Sequence, residues 1–457
     1  MKKQIKKPTA MLMSAMMVIG LVSGCGSSGN DPAQTPEQPG SSAQSQSGSE
    51  STGSGSEGSG SGQEVVLTYI SSTILESPEG DFEQKVIDEF NALDNGITIK
   101  VEGVASNDLM KKYITLATSN SMPDLFMVNQ NDAATIIDMG LAADVTEVFG
   151  AEYLAGFVGD NLTSYTVDGK LMGIPWFGGA QGVLYRKDIF DQKGLEVPET
   201  WEELVSVSQQ LTGDGDYGIT LVGTKNSSGS SRFQSVIRNF GVDEFYQDAE
   251  GKWQTDIGSE KYIKALKEFT DLDIEYGTVP PGVIETGYPE AVSLFSSGKA
   301  AMLITGSNAI GAITSQVPEL KGKLGSFPIP AVERSVSTVG GFGIFISPGE
   351  HQEAAGEFIK FLLETDTALE FSQMTGRLPT RTEAIESPAI AEMPELEGFI
   401  KALENIYVVP AIPGYNEVSD IHGEAYQGVF TGTMSVESAA AKAQQRAQQI
   451  CDTANSQ

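Results

Sequence analysis

The chain has few side chains suited to catalysis by an activated nucleophile. Its 457 residues include only two histidines, His351 and His422, so any Ser-His-Asp arrangement must use one of them. His351 follows Ser347–Glu350, and we expect it to lie in solvent at the start of a helix. No Gly-x-x-x-x-Gly-Lys-Ser/Thr motif occurs, because Gly298-Lys299 and Gly322-Lys323 are followed by Ala and Leu. The residue types predict a chain that is not an enzyme and does not itself bind ATP.

The composition also argues against metal and nucleic-acid sites. The two cysteines, Cys25 and Cys451, allow neither a disulfide framework nor a cysteine-rich zinc site. The segment Asp214–Gly218 lacks the later ligands of a calcium loop, which indicates a plain turn. The formal charge is −32, with 61 acidic against 29 basic residues, so the clustered cations that nucleic acid requires are lacking. We therefore expect no metal, no cofactor and no nucleic-acid partner.

The first residues have the features of a secretion signal. Four lysines precede the apolar run Ala10–Val22, which is too short to span a bilayer. The run ends in Val22–Cys25 (VSGC), which resembles the bacterial lipobox. The resemblance implies a signal peptide at residues 1–24 and a lipid-modified Cys25 that anchors the protein in the bilayer. The alternative is an ordinary signal peptide with a chance cysteine.

A segment without large apolar side chains follows the cysteine. Residues 26–63 are rich in Gly, Ser and Gln and cannot bury a core, so residues 25–63 are predicted to form a lipidated, disordered tether. Without residues 1–24 the chain carries 25 basic and 61 acidic residues, a charge of −36. We expect a protein anchored on the extracellular face of the cell membrane, an arrangement that suits a bacterium without an outer membrane.

From residue 64 onward, strand and helix patterns alternate. The pattern predicts strands at 65–69, 97–102 and 124–128, and helices at 82–93, 107–118 and 133–139. This rhythm is typical of an α/β fold with a mainly parallel sheet and helices on both faces. Ligands of such sheets bind beyond the carboxyl ends of the strands. The polar run Asn129–Asp132 is therefore a candidate binding loop; ordinary solvated loop residues are the alternative.

Six short motifs occur in an order that resembles a known family. They are Pro123–Phe126, Tyr185–Lys187, Pro198–Leu204, Gly298–Met302, Gly340–Ile344 and Glu357–Leu362. Together they resemble the family 1 extracellular solute-binding proteins, the capture subunits of carbohydrate ABC importers, similar to maltose-binding protein. The resemblance covers about residues 64 to 450. It implies an α/β, two-lobed periplasmic-binding-protein-like fold of the class II type, with the ligand in the cleft between the lobes.

The resemblance also implies how the chain divides into lobes. The N-terminal lobe would comprise residues 64–178 plus about 345–385, and the C-terminal lobe about 183–342 plus 386–457. The crossovers then fall at Gly178–Gly182 and Gly340–Ile346. Glycines at both places can absorb the backbone rotation of a hinge, although ordinary loop glycines are the alternative.

Carried onto this sequence, the family's cleft implies a set of ligand-binding residues. A sugar presents an apolar C–H face and a rim of hydroxyls, which flat aromatic rings and planar polar groups recognise. The expected residues are Trp176, Phe177, Asn129, Asn131, Asp132, Gln181, Arg232, Asn308, Tyr415, Asp420 and Arg377. Gly306-Ser307-Asn308 stands where the family often has Gly-x-Trp, which favours recognition by hydrogen bonds. Trp201 and Trp253 are expected to be structural.

Arg232 stands where the family supplies another ring. A guanidinium there can bind a carboxylate or vicinal hydroxyls through two donors, and a surface arginine is the alternative.

The implied function is capture of a sugar or oligosaccharide and its delivery to the membrane permease of an ABC importer, by a protein expected to be a monomer. Two alternatives remain open from the sequence. One is a binding protein for an amino acid or a polyamine, and the other is a secreted glycan hydrolase that uses two carboxylates.

Overall fold

The computed structural model describes residues 64–159, 161–410 and 412–456. The expected signal peptide, the lipidation site Cys25 and the expected tether lie outside the described residues. No helix within these three ranges combines the length and the apolar character needed to cross a membrane.

The described residues contain fourteen strands. They are β1 Val65–Ser71, β2 Ile97–Gly103, β3 Leu125–Asn129, β4 Thr166–Val167, β5 Lys170–Leu171, β6 Ile174–Arg186, β7 Tyr217–Thr220, β8 Tyr246–Gln247, β9 Trp253–Gln254, β10 Ala300–Gly306, β11 Leu324–Phe327, β12 Ser337–Ile346, β13 Leu378–Pro379 and β14 Ile406–Tyr407.

Helices surround the strands, and short 3-10 turns join several of them. The α-helices are α1 Glu79–Asn91, α2 Leu109–Thr118, α3 Ala133–Asp138, α4 Thr146–Leu154, α5 Lys187–Lys193, α6 Trp201–Leu211, α7 Ser227–Asn239, α8 Glu260–Ile274, α9 Tyr288–Ser296, α10 Ala309–Gln316, α11 Gln352–Leu362, α12 Thr365–Thr375, α13 Thr382–Ile385, α14 Pro388–Ala391, α15 Pro394–Ala402, α16 Val418–Phe430 and α17 Val436–Ala454.

The main sheet, ten-stranded within the described part of the chain, runs in the order β2-β1-β3-β12-β6-β10-β7, with β11 and β13 also paired to β6 and β14 to β12. β1 is parallel to β2 and β3, and β10 is parallel to β7. At the centre, β12 is antiparallel to both β3 and β6, and β6 is antiparallel to β10. The parallel pairs of β1 with β2 and β3 are those that the strand–helix rhythm predicts, whereas the β7–β10 pair was not predicted.

Strand β6 takes part in both halves of this sheet. Its first part, from Ile174 to Ala180, pairs with β12 and β13. From Gln181 to Arg186 it pairs with β10 and β11 instead. The strand therefore changes partners between Ala180 and Gln181, inside the predicted first crossover.

Buried apolar side chains form three clusters in the described residues. The first packs β1, β3 and β12 against α1 and α11, the second packs β7 and β10 against α6, α7, α8, α16 and α17, and the third packs β10 against α9, α10 and α15. Phe126 and Phe358 belong to the first, Phe233 and Phe269 to the second, and Phe295 and Phe399 to the third. Burial of these rings contributes to the hydrophobic driving force of each cluster.

The capping box and the two tryptophans that were expected to be structural have the predicted local roles. The Thr200 hydroxyl accepts a hydrogen bond from the Glu203 amide at 3.2 Å, and the Glu203 carboxylate accepts one from the Thr200 amide at 3.2 Å, which completes a capping box at α6. Trp201 is buried and donates its indole N–H to Glu268 at 3.1 Å. Trp253 begins the second strand of the β8–β9 hairpin. Both tryptophans thus hold local structure.

Candidate functional site

The paired strands β6 and β12 place two glycines opposite each other on one face. Gly340 pairs with Gly179, and Phe342 pairs with Phe177. Because side chains alternate along a strand and directly paired residues share a face, Gln181 lies on this side too. Asn129, at the end of β3, pairs with Phe342 and adds an amide. The crossover face is defined as Asn129, Phe177, Gly179, Gln181, Gly340 and Phe342.

The loop between β10 and α10 brings polar groups to this face. Gly306 pairs with Gln181, and a Cβ on Gly306 would lie 2.7 Å from Asn308 Oδ1 and 3.6 Å from Gln181 Nε2. A Cβ on Gly179 would lie 3.4 Å from Ser307 Oγ. Gln181 Oε1 and Ser307 Oγ are buried without a hydrogen-bond partner among the described residues. Two amides and a hydroxyl therefore converge where β6 changes partners, with hydrogen-bonding capacity to spare.

The polar groups continue from this loop to helix α7. Asn308 Nδ2 donates to the Tyr288 hydroxyl at 3.3 Å, and the Arg232 guanidinium carbon lies 4.6 Å from the centre of the Tyr288 ring. We call Gln181, Tyr288, Ser307, Asn308 and Arg232 the amide–arginine cluster. It offers amide, hydroxyl and guanidinium hydrogen-bonding groups beside one aromatic ring.

A second arginine lies beside Phe177 on the crossover face. The guanidinium carbon of Arg377 lies 4.8 Å from the centre of the Phe177 ring. Its Nε and Nη2 donate to Glu79 Oε1 at 3.2 and 3.1 Å. Glu79 therefore compensates the charge of Arg377.

Trp176 lies next to this face but contacts the core. The register of β6 against β12 shifts between Phe342 and Gly343, which makes Trp176 the extra residue of a β-bulge. Its ring stacks on Phe371 at 5.6 Å and 17°, and only 3% of the residue is exposed. In this structure the indole stabilises the first core cluster, and its predicted contact with ligand stays a prediction.

The polar run after β3 divides into two parts. Asn129 Oδ1 accepts a hydrogen bond from the Asn131 amide at 3.0 Å, which fixes the turn that follows. Asn131 is exposed, Asp132 is half-buried, and burial raises the pKa of Asp132. Only Asn129 of the predicted residues in this run has a register position on the crossover face.

Two further predicted residues, Tyr415 and Asp420, lie neither in the amide–arginine cluster nor on the crossover face. The Tyr415 hydroxyl accepts a hydrogen bond from Arg238 Nη2 at 2.8 Å and donates to Glu244 Oε2 at 3.1 Å. Burial alone would raise the pKa of Glu244, but Arg238 and His422 outweigh burial and hold it well below its usual range. Asp420 is exposed on α16, 3.7 Å from Lys225 Nζ. Tyr415 thus belongs to a buried ion-pair network and Asp420 to the surface.

Neither histidine has a serine as hydrogen-bond partner among the described residues. His422 is fully buried, with Nε2 at 2.8 Å from Glu244 Oε1 and Nδ1 at 3.0 Å from the Tyr262 hydroxyl. His351 is partly exposed, and its Nδ1 lies 3.1 Å from Asp124 Oδ1. No group of three or more His, Cys, Asp or Glu side chains suited to a metal ion occurs in the part of the chain that the structure describes.

Sequence reasoning missed three residues of the site. Tyr288 begins α9 before a proline and carries no pattern that points to a ligand. Ser307 was noted only as part of a replaced motif, and Phe342 only as part of a crossover. A signal for Ser307 and Phe342 did exist, because both lie in segments where the chain was expected to meet the cleft.

Comparison with known proteins decides the family. A family model described as "Bacterial extracellular solute-binding protein" matches residues 85–398. The chain belongs to this family. The resemblance that the six motifs indicated is thereby confirmed. Among relatives of this solute-binding protein, the mannitol-binding protein of Pseudomonas aeruginosa is 26% identical and is matched over 76% of this chain and 85% of its own length.

Solved structures share the fold of this solute-binding protein. An ABC transporter solute-binding protein from Thermotoga lettingae with bound α-D-tagatose has a TM-score of 0.72 at 22% identity, covering 85% of this chain and 100% of that one. Maltose-bound MalE3 of T. maritima has a TM-score of 0.71 at 24% identity, covering 84% and 100%. The expected α/β, two-lobed fold similar to maltose-binding protein is confirmed.

Proposed function

We propose that this solute-binding protein captures a sugar or a short oligosaccharide between two lobes and delivers it to the permease of an ABC importer. The observation that carries the proposal is the convergence of the amide–arginine cluster on the crossover face, where β6 changes partners. Planar amides beside aromatic rings suit a ligand with many hydroxyls and apolar C–H faces. The named ligands of the similar proteins, mannitol, tagatose and maltose, support this class of solute.

The two lobes are proposed to follow the boundaries expected from the sequence, residues 64–178 plus about 345–385 and residues 183–342 plus 386–457. The first core cluster supports this division, because its buried members run from Leu67 to Phe177 and from Ile344 to Phe371. The buried members of the other two clusters lie between Ala180 and Ile329 and between Leu378 and Cys451. Of these, only Leu378 falls within the range proposed for the N-terminal lobe. Strands β6 and β12 would then be the hinge segments.

The ligand-binding set is narrower in this proposal than in the sequence prediction. Asn308, Gln181 and Arg232 would donate to ligand oxygens, while Phe342 and Tyr288 would cover its apolar face. Phe177 is only 2% exposed and packs on Phe371 in the first core cluster, so its predicted contact with ligand stays a prediction. Asp420 would take no part, because its carboxylate lies on the surface beside Lys225.

The protein is further proposed to be a lipoprotein on the extracellular face of the membrane. The support is the lipobox-like Val22–Cys25 segment and the family to which the chain belongs. Metabolic labelling with palmitate tests this: the full chain should incorporate label and fractionate with membranes, and Cys25→Ala should do neither. Label retained by Cys25→Ala would contradict the assignment.

Capture without turnover is tested by titration calorimetry and product analysis. Residues 64–457 would be titrated with neutral sugars, sugar acids, polyols, amino acids and polyamines. At least one sugar should bind with a stoichiometry of one and be recovered intact. Asn308→Ala should weaken binding about tenfold through the loss of hydrogen bonds, whereas Asp420→Asn should bind as the wild type does. Binding of amino acids or polyamines alone, or cleavage of an oligosaccharide, would overturn the proposal.

A further inference from the structure

Arg232 is a buried cation without a compensating carboxylate. Only 8% of the residue is exposed, and no Asp or Glu of the described residues forms an ion pair with it. Five of the six other arginines have such a partner: Arg186 with Asp188, Arg238 with Glu244, Arg334 with Asp243, Arg377 with Glu79 and Arg446 with Glu417. The sixth, Arg381, also forms no ion pair among the described residues, but it is only half-buried. The contrast with Arg238 is sharpest, because Arg238 lies on the same helix and is neutralised by Glu244.

The hydrogen bonds of Arg232 satisfy only part of its guanidinium. Nη1 donates to Ser228 O and Ser228 Oγ, both at 2.9 Å, and to Ser231 Oγ at 3.2 Å. Nε is buried and has no acceptor among the described residues. Burial also lowers the pKa of the guanidinium, although an arginine in a protein keeps its proton. The guanidinium is therefore fully charged, largely shielded from water, and has one N–H donor, Nε, without an acceptor.

The unpaired charge of Arg232 destabilises the unliganded protein. Binding of an anion beside the guanidinium would remove this destabilisation. An unpaired buried charge is unfavourable, and a carboxylate that receives two N–H donors from a guanidinium offsets that cost. The Tyr288 ring, 4.6 Å from the guanidinium carbon, offers only a partial compensation through its π face. Asn308 is joined to Tyr288 by a hydrogen bond of 3.3 Å, so the cation adjoins the amides that face the crossover.

We infer that Arg232 binds a carboxylate of the ligand, and that the captured solute is therefore an acidic sugar, such as a uronate or an oligosaccharide with a uronate end. This inference rests on the proposed function and narrows its substrate class. Gln181, Ser307 and Asn308 then form hydrogen bonds with the hydroxyls of the sugar. The Arg232 guanidinium favours binding of the acid over the neutral sugar of the same configuration.

Matched pairs of ligands test the selection. Titrations would compare galacturonate with galactose, glucuronate with glucose, and digalacturonate with a neutral disaccharide, and glucose 6-phosphate would serve as a phosphate probe. We expect an acidic member to bind about 10- to 100-fold more tightly than its neutral partner. A neutral sugar that binds as well as its acid would overturn the inference and leave sugar capture standing. Tighter binding of the phosphate than of every carboxylate would overturn the carboxylate assignment.

Substitution of Arg232 separates recognition from folding. Arg232→Met keeps the apolar stem and removes the charge, so it should abolish the preference for the acid and change the affinity for the neutral sugar much less. Unliganded Arg232→Met should melt at the same temperature as the wild type or higher, because an uncompensated buried charge has been removed. The control is Arg186→Met, whose partner is Asp188 at 2.7 Å. It should lower the melting temperature and leave the preference intact. An unchanged preference in Arg232→Met would overturn the inference.

Discussion

At the scale of single residues, Glu83 is the clearest case of a group whose properties are set by burial. It is fully buried on α1 and accepts a hydrogen bond from Ser71 Oγ at 2.8 Å, at the carboxyl end of β1. Its Oε1 has no partner among the described residues. Burial outweighs the Ser71 hydrogen bond and raises the pKa of Glu83 to about 7. The folded protein therefore holds this proton more tightly than the unfolded chain does.

The raised pKa of Glu83 should be visible in how the unfolding free energy of the protein depends on pH. Because the pKa is raised from its ordinary value of 4.5 to about 7, the contribution of Glu83 to stability is complete below about pH 4.5 and is lost as pH rises through 7. The total is about 3 kcal/mol of unfolding free energy. Urea unfolding should show Glu83→Gln to be more stable than the wild type at pH 8, with most of this advantage lost by pH 4.5. The exposed Glu357→Gln is the control, and equal pH profiles for wild type and Glu83→Gln would refute the argument.

At the scale of elements, the sequence predicted those that have a periodic pattern of their own. The alternation at 97–102 and the helical spacing at 82–93 correspond to β2 and α1 because each element buries one face against the first core cluster. Strand β6 was not foreseen as one continuous strand of 13 residues. Its glycines erase the alternation, and its extended form depends on pairing with β12 and β10, which lie far away in the chain.

The residues of the site also divide into those that the sequence predicted and those that depend on packing between distant elements. Gln181, Asn308 and Arg232 were named from the family's pattern, whereas Tyr288 was not, because its place depends on how α9 packs. The assignment of Tyr415 to the cleft rested on sequence position alone. The structure instead pairs its hydroxyl with Arg238 and Glu244. Sequence position alone does not show which buried charged groups require a hydrogen-bond partner such as Tyr415.

Two adjacent glycines of β12 allow an element-scale test. A Cβ on Gly340 would meet nothing within 4 Å, whereas one on Gly341 would lie 2.3 Å from Phe177 O. Gly340→Leu should therefore change stability by less than about 0.5 kcal/mol but weaken sugar binding about 100-fold, because the side chain covers the crossover face. Gly341→Ala should destabilise by about 1–3 kcal/mol, since β6 must shift. Wild-type affinity in Gly340→Leu, measured by calorimetry, would place the ligand elsewhere.

At the scale of the whole molecule, the proposed capture of a ligand between two lobes implies that the lobes close. A solute that contacts Asn129 and Phe342 as well as Asn308 and Arg232 binds the closed form better than the open form, and only this difference in affinity shifts the equilibrium. Small-angle scattering of residues 64–457 should therefore show a smaller radius of gyration with saturating ligand. Gly340→Leu, which is expected not to bind, should show no change. A radius that is identical with and without bound ligand would contradict closure over the crossover face.

The protein and the proposed acidic ligand both carry negative charge and therefore repel each other. The chain has a formal charge of −32, so an acidic sugar is repelled at long range and attracted only close to Arg232. Salt reduces the range of that repulsion from about 30 Å at 10 mM to about 8 Å at 150 mM. Stopped-flow fluorescence should therefore show the association rate constant of an acidic sugar rising several-fold over this range, while that of a neutral sugar stays constant. An association rate constant for the acid that falls with salt would instead require a positively charged entrance, which the acidic composition of this chain argues against.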